Sequence, residues 1–228
     1  MTSPRPDPSL SLAQLASESA GASRVFARHG LDFCCGGRIR LEEACARRGL
    51  DLETVLDELA AQLRSDEPVE NWRTAPLPLL VEHVITRFHV PLRSELPRLV
   101  AMARRVERAH VGKASCPVGL ADLLESWGAN LLSHLATEEE LLFPLVRQGG
   151  GAGHVAMIHA LEAEHDEHAR VLTAIRDLTD DHTPPPEACG TWRALYVSLA
   201  EFELELMRHV HLENHVLFPR VMQDSGVT

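Results

Sequence analysis

A duplicated motif constrains the fold of this chain more than any other feature of its sequence. His134-Leu-Ala-Thr-Glu138 is followed by Phe143-Pro144, and His209-Val-His-Leu-Glu213 is followed at the same offset by Phe218-Pro219. Such self-similarity indicates a repeated structural unit, here a duplicated helix pair. In each copy the histidine precedes the glutamate by four residues, a spacing that places both on one face of a helix. The motif therefore predicts helices that each present an imidazole beside a carboxylate.

Both His–Glu pairs lie in apolar stripes that advance in steps of three and four, as the buried face of a helix does. The two stripes comprise Leu124, Trp127, Leu131, His134, Glu138, Leu141 and Leu145, and Leu195, Leu199, Phe202, Leu206, His209, Glu213 and Val216. Two further segments place a histidine in the same setting, with Val81, Ile85, His89, Leu92 and Leu96 on one face, and Ile158, Leu161, His165, His168, Leu172 and Ile175 on another. Four helices thus direct polar groups into one apolar interior.

Spacing alone does not decide which histidines face the interior. His168 competes with His165 for the inward position, and His83 competes with His89. His211 and His215 lie off the apolar stripe, so we expect them at the surface.

Buried carboxylates beside imidazoles indicate bound metal. Burying an ionised carboxylate without a partner costs several kcal/mol, so two glutamates among four histidines require positive charge nearby. Carboxylates and histidines in a bundle core are the recurring ligands of two-metal centres, and this donor set favours iron or manganese over a metal that prefers thiolate. The predicted ligands are His89, His134, Glu138, His165, His209 and Glu213.

The hydrophobic periodicity predicts an all-α chain with an antiparallel four-helix bundle. We expect its helices over residues 77–109, 119–147, 154–179 and 188–217, the last ending at Pro219. Pro91 and Pro97 predict that the first helix is kinked or begins late.

Three segments organise the chain. We expect a small helical domain over residues 1–65, a linker rich in proline and charge over 66–78, and the bundle over 79–228.

Composition excludes several classes of function. The net charge is −11 and aromatic residues make up 4% of the chain, which argues against a basic or base-stacking surface for nucleic acid. No run of about 18 apolar residues indicates a membrane span, and the N-terminus lacks the apolar stretch of a secretory signal. The five cysteines are odd in number and irregularly spaced, so we expect reduced thiols and a cytoplasmic protein.

The vicinal pair Cys34-Cys35 is a second candidate site. Gly36-Gly37 follows it directly, which predicts a loop that exposes backbone and sulfur. One interpretation is a dithiol that is reactive or handles metal. The other is a helix end with two small apolar residues, and the sequence pattern favours neither.

These motifs together resemble the iron-sulfur cluster repair di-iron proteins, known as the RIC family. The resemblance rests on Asp32-Phe33-Cys34-Cys35-Gly36-Gly37, on the duplicated motif, on Glu164-His165-Asp166-Glu167 and on Thr183-Pro184-Pro185-Pro186-Glu187-Ala188-Cys189. It covers the chain from about Leu10 to Arg220 and departs from the expected pattern at Val90-Pro91-Leu92, where polar residues are expected.

The resemblance implies a hemerythrin-like bundle preceded by a small domain that bears the cysteine pair. It implies two non-haem iron ions, bridged by oxo and carboxylate groups and held by the six residues named above, with His165 rather than His168 as a ligand. Cys34 and Cys35 become the expected functional thiols.

The implied function is repair of iron-sulfur clusters damaged by nitric oxide or oxidants. Iron donation and reduction of nitric oxide at the di-iron site are both compatible with this function. The resemblance therefore does not decide whether the protein is an enzyme that reduces nitric oxide. The expected partners are damaged iron-sulfur proteins and small molecules such as nitric oxide or dioxygen, without nucleic acid or membrane, and a homodimer is compatible with the sequence. The alternative is a hemerythrin-like protein that binds or senses oxygen or nitric oxide.

Overall fold

The computed structural model describes residues 5–63, 71–149 and 154–224. Over these ranges the chain is helical, and the only β pairing is an isolated bridge between Ser11 and Arg40. The predicted all-α class is confirmed. None of the described helices combines the length and the apolar character that crossing a membrane requires.

The chain divides into two compact units, of which the first comprises residues 1–76 and 207–220. Its N-terminal part contains the helices α1 (Leu12–Glu18), α2 (Ala20–Arg28), α3 (Leu41–Arg48) and α4 (Leu52–Leu63). Ser11 and Gln14 form a capping box that fixes the start of α1. Gly49, with φ 66°, ends α3 in the left-handed conformation that glycine adopts without strain.

The second unit comprises residues 77–206 and 221–228. The remaining helices are α5 (Leu77–Val84), α6 (Val90–Ala109), α7 (Leu120–Thr137), α8 (Phe143–Arg147), α9 (His154–Thr179), α10 (Gly190–Leu212) and α11 (Phe218–Asp224). They form the four long segments of the predicted antiparallel bundle, and the bounds of α9 are those predicted. The domain limits at residues 65 and 78 stay a prediction, since residues 66–70 of the expected linker lie outside the described residues.

Three single π-helical turns join consecutive helices into these long segments. They are Ile85–His89 between α5 and α6, Glu138–Leu142 between α7 and α8, and Glu213–Leu217 between α10 and α11. At the end of each turn a backbone N–H reaches the carbonyl five residues earlier, and the second residue after the turn is a proline. The wider turn leaves room for the proline ring, which in an α-helix would meet the carbonyl four residues earlier.

These turns decide between two alternatives and correct one prediction. The first helix was expected to be kinked or to begin late, and the late start is excluded, since the helix starts at Leu77 and continues past Pro91 after the π-helical turn. The fourth does not end at Pro219, because α11 continues it to Asp224.

The extra residue in a π-helical turn also rotates the buried face. Leu141 and Leu145, predicted to face inward, are 51% and 37% exposed. Leu142, Phe143 and Val146 are buried in their place. The simple periodicity fails here because it assumes 3.6 residues in every turn.

Candidate metal centre

All six residues predicted as metal ligands are buried, with side chains at most 2% exposed. Three of them occupy π-helical turns: His89 is the last residue of the first turn, and Glu138 and Glu213 open the second and third. His134, His165 and His209 lie in α7, α9 and α10. Single π-helical turns occur frequently at functional sites, which supports a role beyond packing for these positions.

The six side chains form two groups of potential metal donors. One consists of His89, Glu138, His209 and Glu213, and the other of His134, Glu138, His165 and Glu213. Within each group the ligand atoms lie within 4.8 Å of one another. Each group has two histidines of its own, whereas both glutamates belong to both groups, an arrangement suited to two ions that share carboxylates.

Glu138 faces different histidines with its two oxygens. Its Oε2 lies 3.5 Å from His89 Nε2, whereas its Oε1 lies 3.5 Å from His134 Nε2 and 4.0 Å from His165 Nε2. In the duplicated motif, Glu213 Oε1 lies 3.0 Å from His209 Nε2. The carboxylate of Glu138 thus stands between the histidines of the two groups.

The imidazoles of His89 and His134 are held at Nδ1 by carboxylates, and their Nε2 atoms face Glu138. The Nε2 atoms of His134 and His165 approach to 2.9 Å, so the two rings converge on one point. His134 Nδ1 lies 2.7 Å from Glu164 Oε2, and His89 Nδ1 lies 2.7 Å from Glu139 Oε1. A carboxylate that accepts the Nδ1–H leaves Nε2 as the lone-pair nitrogen and makes it a better metal ligand.

The sequence reasoning did not assign roles to these outer carboxylates. Each is the chain neighbour of a predicted ligand, since Glu139 follows Glu138 and Glu164 precedes His165. Their position beside the predicted ligands was the one sign in the sequence that these carboxylates could support the metal site. Burial of Glu139 acts to raise its carboxyl pKa, but hydrogen bonds from His89 and Arg93 outweigh it, so the pKa is lowered.

The competing histidines lie outside both groups. His168 is buried, but its Nδ1 accepts a hydrogen bond from Trp127 Nε1 at 3.1 Å. His83 packs edge-on against Phe88, with ring centroids 5.8 Å apart.

The donor set fits a pair of iron ions. Four imidazoles and two carboxylates, with no thiolate in either group, are ligands that iron accepts readily. Two carboxylates at 0% exposure would also need compensating charge when ionised, and two cations would supply it.

The cysteine pair lies in a loop, as predicted, but Cys34 is not exposed. Its side chain is 3% exposed, whereas Cys35 is half-buried, and both thiols are free. The expectation that the glycines expose both sulfurs is therefore wrong for Cys34. Its pKa is raised well above the ordinary value, by the hydrogen bond with Cys35, by burial and by the charge of Asp32.

Side chains of the duplicated motif hold this loop. His211 Nδ1 donates to the carbonyl of Phe33 at 3.1 Å, and His215 Nε2 donates to the carbonyl of Cys34 at 2.9 Å. Asn214 Nδ2 donates to the same Cys34 carbonyl at 3.3 Å. The prediction that His211 lies at the surface is wrong, since it is 7% exposed. Its pKa is lowered to about 4, mainly because the imidazole is buried and also because His215 repels its charged form. His215 is half-buried.

Comparison with known proteins agrees with this architecture. The hemerythrin HHE cation binding domain family matches residues 80–221, and a domain of unknown function, ScdA_N, matches residues 9–63. The iron-sulfur cluster repair protein YtfE of Edwardsiella ictaluri is 46% identical over 93% of this chain and 96% of its own length. The proteins of that name from Citrobacter koseri and Escherichia coli O17:K52:H18 are 44% and 42% identical over 92% of the chain and 96% of their lengths. The chain therefore belongs to the family of YtfE iron-sulfur cluster repair proteins, in which an ScdA_N domain precedes a hemerythrin HHE cation binding domain.

Proposed function

We propose that this chain is a non-haem di-iron protein that repairs iron-sulfur clusters damaged by nitric oxide or oxidative stress. The observation that carries the proposal is the pair of buried donor groups that share Glu138 and Glu213. The name of the relatives supports it. The proposed iron ligands are the six residues of the two groups, His89, His134, Glu138, His165, His209 and Glu213.

The glutamates would make the centre suited to repair. Each carboxylate has two oxygens and can bridge two ions, as the placement of Glu138 between His89 and the His134–His165 pair suggests. When bound, the two irons would supply redox chemistry and open coordination positions for a small molecule. Carboxylates in place of further histidines favour redox chemistry or labile iron over reversible oxygen carriage.

The residues around the ligands would keep the centre in one geometry. Glu164 and Glu139 would hold the rings of His134 and His89 and keep their Nε2 atoms unprotonated. Phe143, buried and stacked on His89 with ring centroids 5.6 Å apart, would exclude water from that side.

Cys34 and Cys35 would act as the thiols that relay iron or electrons. Their loop is held by Asn214 and His215, which directly follow the proposed ligand Glu213 in the same π-helical turn. The clients would be damaged iron-sulfur proteins, and the reduced thiols favour a cytoplasmic location.

A second candidate function is binding or sensing of oxygen or nitric oxide. A cavity of about 180 Å³ is lined by Phe88, Pro91, Leu92 and Phe202 together with the polar residues Arg87, Glu95, Ser198, Glu201 and Glu205. The surface of this cavity is mostly apolar, which favours a small uncharged molecule.

Metal analysis and a repair assay test the leading proposal. The aerobically purified protein should contain about two irons per chain, with an oxo-bridge charge-transfer band that a His209→Ala/Glu213→Ala variant loses. It should reactivate a damaged iron-sulfur enzyme, and a Cys34→Ser/Cys35→Ser variant should keep its iron but repair more slowly. Negligible iron after reconstitution with ferrous ion would refute the proposal, whereas reversible oxygen uptake without oxidation of the iron would establish the second candidate instead.

A further inference from the structure

The dithiol loop contains a third group of potential metal donors, separate from the two described above. Asp32, Cys34 and Cys35 place one carboxylate oxygen and two sulfurs within 4.8 Å of one another. Cys34 is buried, Cys35 is half-buried and Asp32 is exposed, so the group opens toward solvent on one side.

The distance between the sulfurs suits a shared metal ion. Cys34 Sγ and Cys35 Sγ lie 3.7 Å apart. Two thiolates on one tetrahedral ion with metal–sulfur bonds of about 2.3 Å stand about 3.8 Å apart. A disulfide would suit this pair poorly, because neighbouring Cα atoms are about 3.8 Å apart across a trans peptide, below the usual disulfide range that begins at about 4.4 Å.

Asp32 supplies the third donor and orders the loop. Its Oδ1 accepts the backbone N–H groups of Cys34 and Cys35 at 3.0 and 2.9 Å, and its Oδ2 accepts that of Gly36 at 2.8 Å. The Cys34 Sγ lies within hydrogen-bond distance of Asp32 Oδ1, at 3.2 Å, and of Cys35 Sγ. A cation that displaced the thiol protons would therefore lie between sulfur and oxygen atoms that already face one another.

Side chains from residues 214 and 215 hold the loop that presents these donors. His215 and Asn214 hold the Cys34 carbonyl, and Gly37 lets His215 approach, because a Cβ there would lie 2.9 Å from His215 Nε2. Preorganised ligands lower the entropic cost of binding.

We propose that Asp32, Cys34 and Cys35 form a binding site for one divalent metal ion that accepts thiolate, with Fe²⁺ as the cargo in the repair reaction. Binding replaces the two thiol protons, which leave to solvent, and forms two metal–sulfur bonds and one metal–oxygen bond without change of oxidation state. Three protein donors leave a fourth position open, through which a client could take the ion. The site rests on the proposed function, whose iron it would pass on.

Cobalt is the probe that tests this site. Co²⁺ added to the iron-loaded full chain should bind at one ion per chain and show a thiolate-to-cobalt charge-transfer band, which the donors of the bundle groups cannot produce. Cys34→Ser/Cys35→Ser should abolish the band, and Asp32→Asn should weaken binding at least about ten-fold. Cys45→Ser, which alters another buried thiol of the same unit, is the matched control and should leave the band unchanged.

Two outcomes would overturn the site: no thiolate-to-cobalt band in the unaltered protein, or a band that survives Cys34→Ser/Cys35→Ser. The iron content and the repair assay report separately on the proposed function. Loss of repair with the band intact would count against that function while supporting the metal site. Normal iron and repair without the band would overturn the metal site alone.

Discussion

Gly37 offers the sharpest test of how the dithiol loop is held. A Cβ at this position would lie 2.9 Å from His215 Nε2, about 0.5 Å inside the 3.4 Å of ordinary contact, and closer still to the carbonyl oxygen of Phe33. Because the nearest obstacle is backbone rather than the flexible end of a side chain, the loop itself must shift. Gly37→Ala should therefore displace the loop from its hydrogen-bond partners.

The expected cost follows from two contributions. Forcing an extra carbon into a packed site costs about 1–3 kcal/mol. The hydrogen bonds from His215 and Asn214 to the Cys34 carbonyl each contribute about 0.5–1.5 kcal/mol, and the shift would weaken both. We expect a loss of about 3 kcal/mol in the free energy of unfolding, or a fall in Tm of about 6–12 °C at 2–4 °C per kcal/mol.

Urea unfolding of the metal-free protein, followed by circular dichroism, measures this loss without the added stability of bound metal. Gly190→Ala is the matched control, because a Cβ at Gly190, the first residue of α10, meets no atom within 4 Å. That variant should be neutral or slightly stabilising. A Gly37→Ala variant within about 0.5 kcal/mol of the unaltered protein, the range of surface substitutions, would refute the reasoning.

Three further predictions address the bundle and the thiols. Glu164→Gln should lower iron affinity about 10- to 100-fold, measured by competition with a chelator, because His134 loses the carboxylate that orients it; unchanged affinity would exclude that role. Glu203→Gln should cost about 1–3 kcal/mol, since Glu203 is 5% exposed and accepts from Arg176 at 2.6 Å, and an unchanged Tm would contradict this. Cys34 should react more slowly than Cys35 with a thiol reagent at neutral pH, because its thiol is buried and its pKa is raised; mass spectrometry of the labelled peptide distinguishes the two, and equal rates would be inconsistent with the burial.

Local patterns in the sequence determined most of the fold. The period of the apolar residues predicted the four long helices because it repeats wherever a helix buries one face, and α9 begins and ends where that period does. The same period predicted that all six polar residues, including Glu138 and Glu213, are buried. Their chemistry then pointed to metal, since buried carboxylates and imidazoles need compensating charge whatever the details of packing.

Sequence spacing did not reveal the π-helical turns. A turn of this kind inserts one residue into the helical repeat, so the face beyond it rotates, and Leu141 and Leu145 become exposed while Leu142 and Phe143 are buried. It also lets the helix continue past Pro219, where a strict α-helix would stop.

Only the tertiary structure decided the surroundings of the two candidate sites. His211 and His215 lie off the apolar stripe of their own helix, yet His211 is buried and His215 is half-buried, because both bond to the loop around Cys34, about 180 residues away along the chain. That loop in turn buries one thiol of a pair whose sequence predicted exposure. Helix periodicity and ligand chemistry are properties of neighbouring residues and can be read from the sequence, whereas burial by a distant segment depends on which surfaces meet after folding.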